Sequence, residues 1–212
     1  MNKIVLLTCV LLLSGCGVKY PETANLNLMV PSQPEAVYTN SMALINGLDV
    51  RENAEVIVYK VKKEPVVKVP SLNSPITIIT EDLSSGLREQ GLQTETNAPV
   101  RIDLELNQLL VTVSKSKSLY NSQAVSQITL KAIHGKTSFT KKYTRQNDQE
   151  SVLRPKITEI ENMLNDQLSD IVMTILSDMD LRELIINRAS CKTQIRFVGQ
   201  MTNLTIKKVV IY

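Results

Sequence analysis

The chain of 212 residues has no tryptophan, two phenylalanines and six tyrosines. With aromatics at 4 %, its core must be aliphatic, and recognition of sugars or bases by stacking is not expected. There is one histidine, His134, with no cysteine or second histidine near it in sequence, so no metal site is expected. Lysine and arginine number 24 against 21 acidic residues. A chain this close to neutral gives no electrostatic case for nucleic acid. It contains no Gly-x-Ser-x-Gly elbow and no Gly-x-x-x-x-Gly-Lys phosphate loop. No cofactor is implied, and no catalytic residue is assigned. The remaining composition, 43 % hydrophobic and 21 % charged, is ordinary for one globular domain.

The most apolar stretch is short. Ile4 to Leu13 follows a single positive charge, Lys3, and stops at Leu13-Ser14-Gly15-Cys16. A helix needs roughly 20 apolar residues to cross a bilayer, so this run reads as a secretory signal instead. Its ending resembles the bacterial lipobox, in which the peptide is cut just before the cysteine. That resemblance implies a signal peptide over residues 1–15 and a diacylglycerol on the sulfur of Cys16, usually with an amide-linked third chain such as palmitate. One acyl chain, at ~0.8 kcal/mol per methylene, holds only marginally, whereas two or three hold essentially permanently. In this lipoprotein class an aspartate after the cysteine favours the inner membrane. Gly17 therefore implies the outer membrane, with the domain facing the periplasm. Loss of Lys3 with the signal leaves 23 basic against 21 acidic side chains. Cys9 leaves as well, so Cys191 stands alone and no intramolecular disulfide can form.

Residues 16–36 are polar, carry Pro21, Pro31 and Pro34, and read as a flexible tether. Twenty such residues reach at most ~65 Å. Leu28, Met29 and Val30 either form a short strand or dock on the domain. A periplasmic domain is expected over residues 37–190. Its first strand-like run ends at Asn46-Gly47, a turn signal. Glu55–Val61 is strand-like, and Pro65 and Pro70 bracket a piece suited to an edge. Ser74 and Pro75 open a helix with Ile76, Ile79, Leu83 and Leu87 on one face, stopped by Gly91. Val100 to Val113 alternates as a strand but changes phase at Asn107-Gln108, which predicts a bulge or a turn. A hairpin turns at His134-Gly135-Lys136, where the histidine is expected in solvent. After a polar stretch over 144–151, apolar residues three or four apart from Ile157 to Ile175 predict a long core-facing helix. Asp180 is expected to cap a shorter final one. Residues 191–212 form a basic, β-like tail that either adds a strand or hangs free. The fold class is α+β: a mostly antiparallel sheet of about five or six strands, with two main helices packed on one face.

Several polar groups invite a chemical reading. Asp103 and Glu105 lie ~6–7 Å apart on one strand face, a spacing suited to paired carboxylates, yet Arg101 and Asn107 flank them as on a plain solvent face. Asp178 and Asp180 suggest a cation site but lack the remaining loop ligands, so they read as the break between two helices. Lys60, Lys62 and Lys63, and again Lys141, Lys142 and Arg145, form basic clusters. These either meet phosphates or an acidic partner, or guard strand edges in solvent.

From Val37 to Ile186 the order of features resembles the YajG family of Gram-negative lipoproteins. The resemblance rests on INGLDVRENA, the Gly91 stop, VRIDLELNQLLVTVS, and a hairpin before a C-terminal helix ending in DMDLRELI. It implies a lipid-anchored α+β domain without an established activity. The tail after Ser190 departs from the family pattern. The expected function is that of a non-enzymatic envelope interaction or accessory module, touching the bilayer through its acyl chains and an envelope protein through a sheet edge or bare sheet face. The alternative is a small-ligand or lipid-binding carrier, such as an auxiliary component of an envelope lipid transporter, which needs an apolar pocket between sheet and helix.

Overall fold

The structure is a computed structural model and describes residues 19–32 and 35–186. The lipobox with Cys16, and the tail with Cys191, lie outside the described residues.

Strand β5 (Val100–Ser116) organises the sheet. Its apolar residues Ile102, Leu104 and Leu106 face the core, and after one extra residue Leu109, Val111 and Val113 do the same. The predicted change of phase is a β-bulge between Leu106 and Gln108, within one continuous strand. The bulge keeps both halves of the strand pointed at the same core.

Two short strands pair in tandem along one side of β5. Strand β1 (Met42–Asp49) takes Val100–Leu106, and β2 (Glu55–Lys60) takes Val111–Ser114, both parallel. Strand β3 (Val67–Pro70) adds antiparallel to β2, and β4 (Gln93–Thr94) adds parallel to β1. On its other side β5 pairs antiparallel with β6 (Leu119–His134), which pairs antiparallel with β7 (Thr137–Ser151).

The sheet thus has seven strands and is mixed, rather than mostly antiparallel with five or six. The reason lies in helix α1 (Pro75–Glu89), placed in the chain between β3 and the strands β4 and β5. A helix crossing one face returns the chain to the end of the sheet where it started. The next long strand then runs parallel to those before the helix.

Three helices cover one face: α1, α2 (Ile157–Leu176) and α3 (Met179–Ile186). Helix α1 begins after Ser74 with Pro75 in its first turn, and it closes at Gly91, whose φ of +91° suits glycine. Its apolar stripe, Ile76, Ile79, Leu83 and Leu87, is buried as expected. Asn46-Gly47 does not turn the chain, because both residues lie inside β1. Gly47 is there for space: a Cβ would lie 2.3 Å from Thr80 Oγ1 and 2.8 Å from Ile76 Cγ1 on α1. The polar stretch 144–151 is not a loop before the long helix but the second half of β7, paired residue by residue with β6.

Within the stretch read as a tether, residues 19–32 lie on the body. Ala24 and Leu26 are buried, Leu28 and Val30 pack on the core, and Met29 faces solvent. The amides of Asn25, Asn27 and Met29 donate to the side chains of Glu161, Asn165 and Ser169, at 2.7, 3.0 and 3.0 Å. The match is geometric. Two residues of extended chain advance ~6.6 Å and four residues of helix ~6 Å, so alternate amides meet successive turns of α2.

Candidate functional site

Among the described residues no helix is long and apolar enough to cross a membrane, and no group of three His, Cys, Asp or Glu side chains could hold a metal ion. An open, mostly apolar cleft of about 600 Å³ lies at one end of the sheet, walled by Tyr20, Pro21, Tyr59, Arg154, Pro155 and Ile157. Four pieces of chain meet around it, one of which supplies two residues. The N-terminal segment brings Tyr20, the end of β2 brings Tyr59, and the turn after β2 brings Glu64. The start of β6 brings Tyr120, and the link from β7 to α2 brings Arg154. Three of the six tyrosines of this aromatic-poor chain gather here.

Arg154 holds them together. Its Nη2 donates to both oxygens of Glu64 at 3.0 and 2.8 Å, and its guanidinium carbon lies 4.7 Å from the Tyr20 ring centroid and 5.8 Å from that of Tyr120. A planar cation can stack and pair at once, which lysine cannot copy. Tyr20 Oη donates to the same Glu64, and the Tyr20 and Tyr59 rings meet edge to face at 4.9 Å. Lys115 Nζ lies 4.6 Å from the Tyr120 centroid. The hydrogen bonds from Tyr20 and Arg154 hold the Glu64 carboxyl below its usual range. For the Tyr120 phenol, desolvation opposes ionisation, but Arg154 and Lys115 outweigh it and lower the pKa. The arrangement offers apolar walls beside a fixed cation.

The residues singled out from sequence fall elsewhere or prove structural. Asp103 and Glu105 stand on the bare face of the sheet and are paired separately: Asp103 with Arg101 (2.9 Å) and Asn46 (2.9 Å), Glu105 with Lys131 (2.5 Å). They form no carboxylate pair. Asp178, not Asp180, caps α3, accepting from the amides of Asp180 and Leu181 at 3.0 and 3.3 Å. The same carboxylate takes Lys141 Nζ at 2.6 Å and Tyr143 Oη at 2.8 Å, so an ammonium group sits where a cation might have been sought. Desolvation works against the charge on Asp178, but Lys141, Tyr143 and the Leu181 amide together keep its pKa below the usual value. Arg145 pairs with Asp170, which leaves Lys142 as the one member of its cluster with no ion pair among the described residues. His134 is not in solvent. It is the last residue of β6, half-buried, with Nδ1 donating to the Leu184 carbonyl at 2.9 Å, so it fastens α3 to the sheet. Lys60, Lys62 and Lys63 are exposed at the cleft end. Sequence reasoning missed the cleft because its parts lie up to 134 positions apart, from Tyr20 to Arg154, and only the register of β2, β5, β6 and β7 gathers them.

A family model described as uncharacterized lipoprotein matches residues 29–186, and the chain belongs to that family, in agreement with the resemblance seen in its sequence. No curated protein matches the chain. Among solved structures it is similar to a Xanthomonas campestris protein of the DUF330 family, at 8 % identity and a TM-score of 0.54, over 80 % of this chain and 98 % of that one. At that identity the likeness concerns the fold alone. Rare lipoprotein B from Shewanella oneidensis aligns over 66 % of this chain and 98 % of its own, at 12 % identity and a TM-score of 0.32.

Proposed function

We propose that this member of the uncharacterized-lipoprotein family is held in the bacterial outer membrane by acyl chains on Cys16 and faces the periplasm. There it works as a non-enzymatic accessory module whose envelope partner adds to strand β7. The supporting observation is the edge of that strand. Fifteen residues pair with β6 on one side and, among the described residues, with no strand on the other. Such a row of unpaired amides and carbonyls is a template for strand addition. Charged side chains commonly guard an edge; here Lys141 and Arg145 are tied back to Asp178 and Asp170 on the helical side, which leaves Lys142 as the one lysine of β7 without an ion pair among the described residues. The bare sheet face is a poorer candidate, since it is polar and its Asp103 and Glu105 are already paired. A carrier would need apolar space between sheet and helices. That interface is filled by Leu83, Leu87, Leu104, Leu164 and Leu168, all fully buried, which favours the accessory reading.

The test is a photo-crosslinking residue at Gln146, in the outer half of β7, in the lipidated protein within intact cells. One dominant envelope protein is expected. Capture of the chain's own residues 187–212 would mean that the edge is covered from within, and co-purifying lipid without protein would restore the carrier reading. Cys16→Ala should abolish lipid labelling and leave the uncut precursor. Persistent labelling would remove the anchor from the argument.

A further inference from the structure

We propose that the cleft end of the body lies flat on an anionic lipid surface, with Val152 and Leu153 entering the headgroup layer and a ring of lysines meeting lipid phosphates. This rests on the lipid anchor at Cys16 and adds an orientation and a ligand class to it.

Three observations carry the inference. The first is charge. Although the chain as a whole is nearly neutral, one end is strongly basic. The β5–β6 turn presents Lys115 and Lys117, the turn after β2 presents Lys60, Lys62 and Lys63, and Lys19 and Lys156 border the cleft, all of them exposed. Fewer carboxylates than cations stand at this end, and most of them are engaged: Glu64 is taken by Tyr20 and Arg154, Glu159 accepts the Lys156 amide at 3.2 Å and Glu161 the Asn25 amide at 2.7 Å, while Glu22 and Glu150 stand at its margins. Basic clusters beside a bilayer are drawn to anionic headgroups.

The second is apolar exposure. Val152 and Leu153, adjacent in the link that leaves β7, are 71 % and 77 % exposed in the middle of this basic end. Two apolar side chains at the tip of a link, ringed by lysines, match the paired signals of surface-binding elements: apolar contact and attraction to anionic lipid.

The third is reach. Lys19 borders the cleft, and it is three residues after Cys16. Three residues span at most ~11 Å. An acylated Cys16 therefore brings this end, and not the Gly135 end, to the membrane.

The chain has no tryptophan, so Leu153→Trp and Ile133→Trp each give a single reporter, one at the cleft end and one near the opposite end of β6. The lipidated protein is placed in vesicles of phosphatidylglycerol and phosphatidylethanolamine, some carrying brominated acyl chains. Leu153→Trp should shift to the blue and be quenched, while Ile133→Trp should do neither. The chain from residue 17 onward, which keeps every described residue and has no acyl group, is then mixed with the same vesicles. It should bind them at least ten-fold more tightly than vesicles of phosphatidylcholine, and lose that preference in about 0.5 M salt or on K60E/K62E/K63E, with an unchanged circular dichroism spectrum. A Leu153→Trp emission that ignores the vesicles, or equal quenching of both reporters, would overturn the inference even if the protein floats with them. Failure of the cellular protein to float would remove the anchor alone. The unacylated chain would still decide the surface, its lack of preference for anionic vesicles counting against the proposal.

Discussion

Asp178→Ala should be the most damaging single change on the helical face outside the leucine core, and its size can be worked from the contacts. The carboxylate side chain is 3 % exposed and serves three partners. It caps α3 through two amides, and loss of an acidic cap costs ~1 kcal/mol. It accepts from Tyr143 Oη, a buried phenol that would be left without a partner, at about 1–3 kcal/mol. Lys141 is 44 % exposed and would turn to water, so that pair adds ~1 kcal/mol at most. The sum is about 2–5 kcal/mol, which for a domain of this size lowers Tm by roughly 4–20 °C. Asp178→Asn keeps one oxygen, enough for the cap, while an NH2 replaces the oxygen that accepts from Tyr143 and Lys141, and it should lose about 1–3 kcal/mol. The sign of the pH effect follows from the depressed folded-state pKa of Asp178. Its contribution is complete above the unfolded value of about 4 and disappears as pH falls through the lower folded value. Thermal melts of wild type and Asp178→Asn should therefore keep a constant gap from pH 7 to 5 and converge below about pH 4. A gap that is absent at pH 7, or that survives unchanged to about pH 3, would refute the assignment of Asp178 as a charged node.

Three further changes test other parts of the structure. Gly47→Val should lower the urea midpoint by the equivalent of about 1–3 kcal/mol, because a Cβ there meets Thr80 and Ile76; an unchanged midpoint would mean that α1 stands further from β1 than described. Arg154→Lys should destabilise nearly as much as Arg154→Ala, since lysine cannot pair with Glu64 and stack on Tyr20 together; full rescue by lysine would reduce the site to simple charge. Tyr38 is buried, which pushes its phenol up to about 12, and burial beside Asp178 pushes Tyr143 up as well, so a spectrophotometric titration should show at least two tyrosines ionising well after the rest, and fewer than two late ones would contradict that burial.

Local patterning made much of this fold legible. The stripes of α1 and α2 announced themselves at helical spacing, and the phase change at Asn107 located the bulge, because a period-two pattern records any extra residue. What could not be read was which strands become neighbours. Strand β1 lies beside β5 and not beside β2, a choice made by the crossover through α1 and carried by no residue within β1. Asn46-Gly47 misled for a related reason: glycine serves both a turn and a close helix approach, and only the position of Thr80 distinguishes them. The outer half of β7 was hidden because it is polar on both faces, so its pairing with β6 leaves no hydrophobic period. The hairpin turn at Lys117 also lacked its signal, since a lysine occupies the φ of +54° where glycine or asparagine is usual.

The tyrosine–arginine cluster ties these local features to the N-terminal segment of the body. Tyr20 belongs to the segment that then runs along α2, each of three alternate amides held by one helical turn. A pull on the N-terminus would meet Arg154 and Glu64 first, then the Ala24 bridge to Ser71, and then the ladder on α2. Contacts loaded one after another open singly, whereas those that share a load resist together. The ladder amides and Tyr20 lie within ten residues of one another, joined through a bend at Glu22, so the geometry favours sequential opening from Tyr20 inward. Amide hydrogen exchange should rank accordingly, with Asn25 exchanging before Asn27 and Met29 in Arg154→Ala. A reversed order, with Met29 first, would show that the segment frays from its distal end and that the cluster does not gate it.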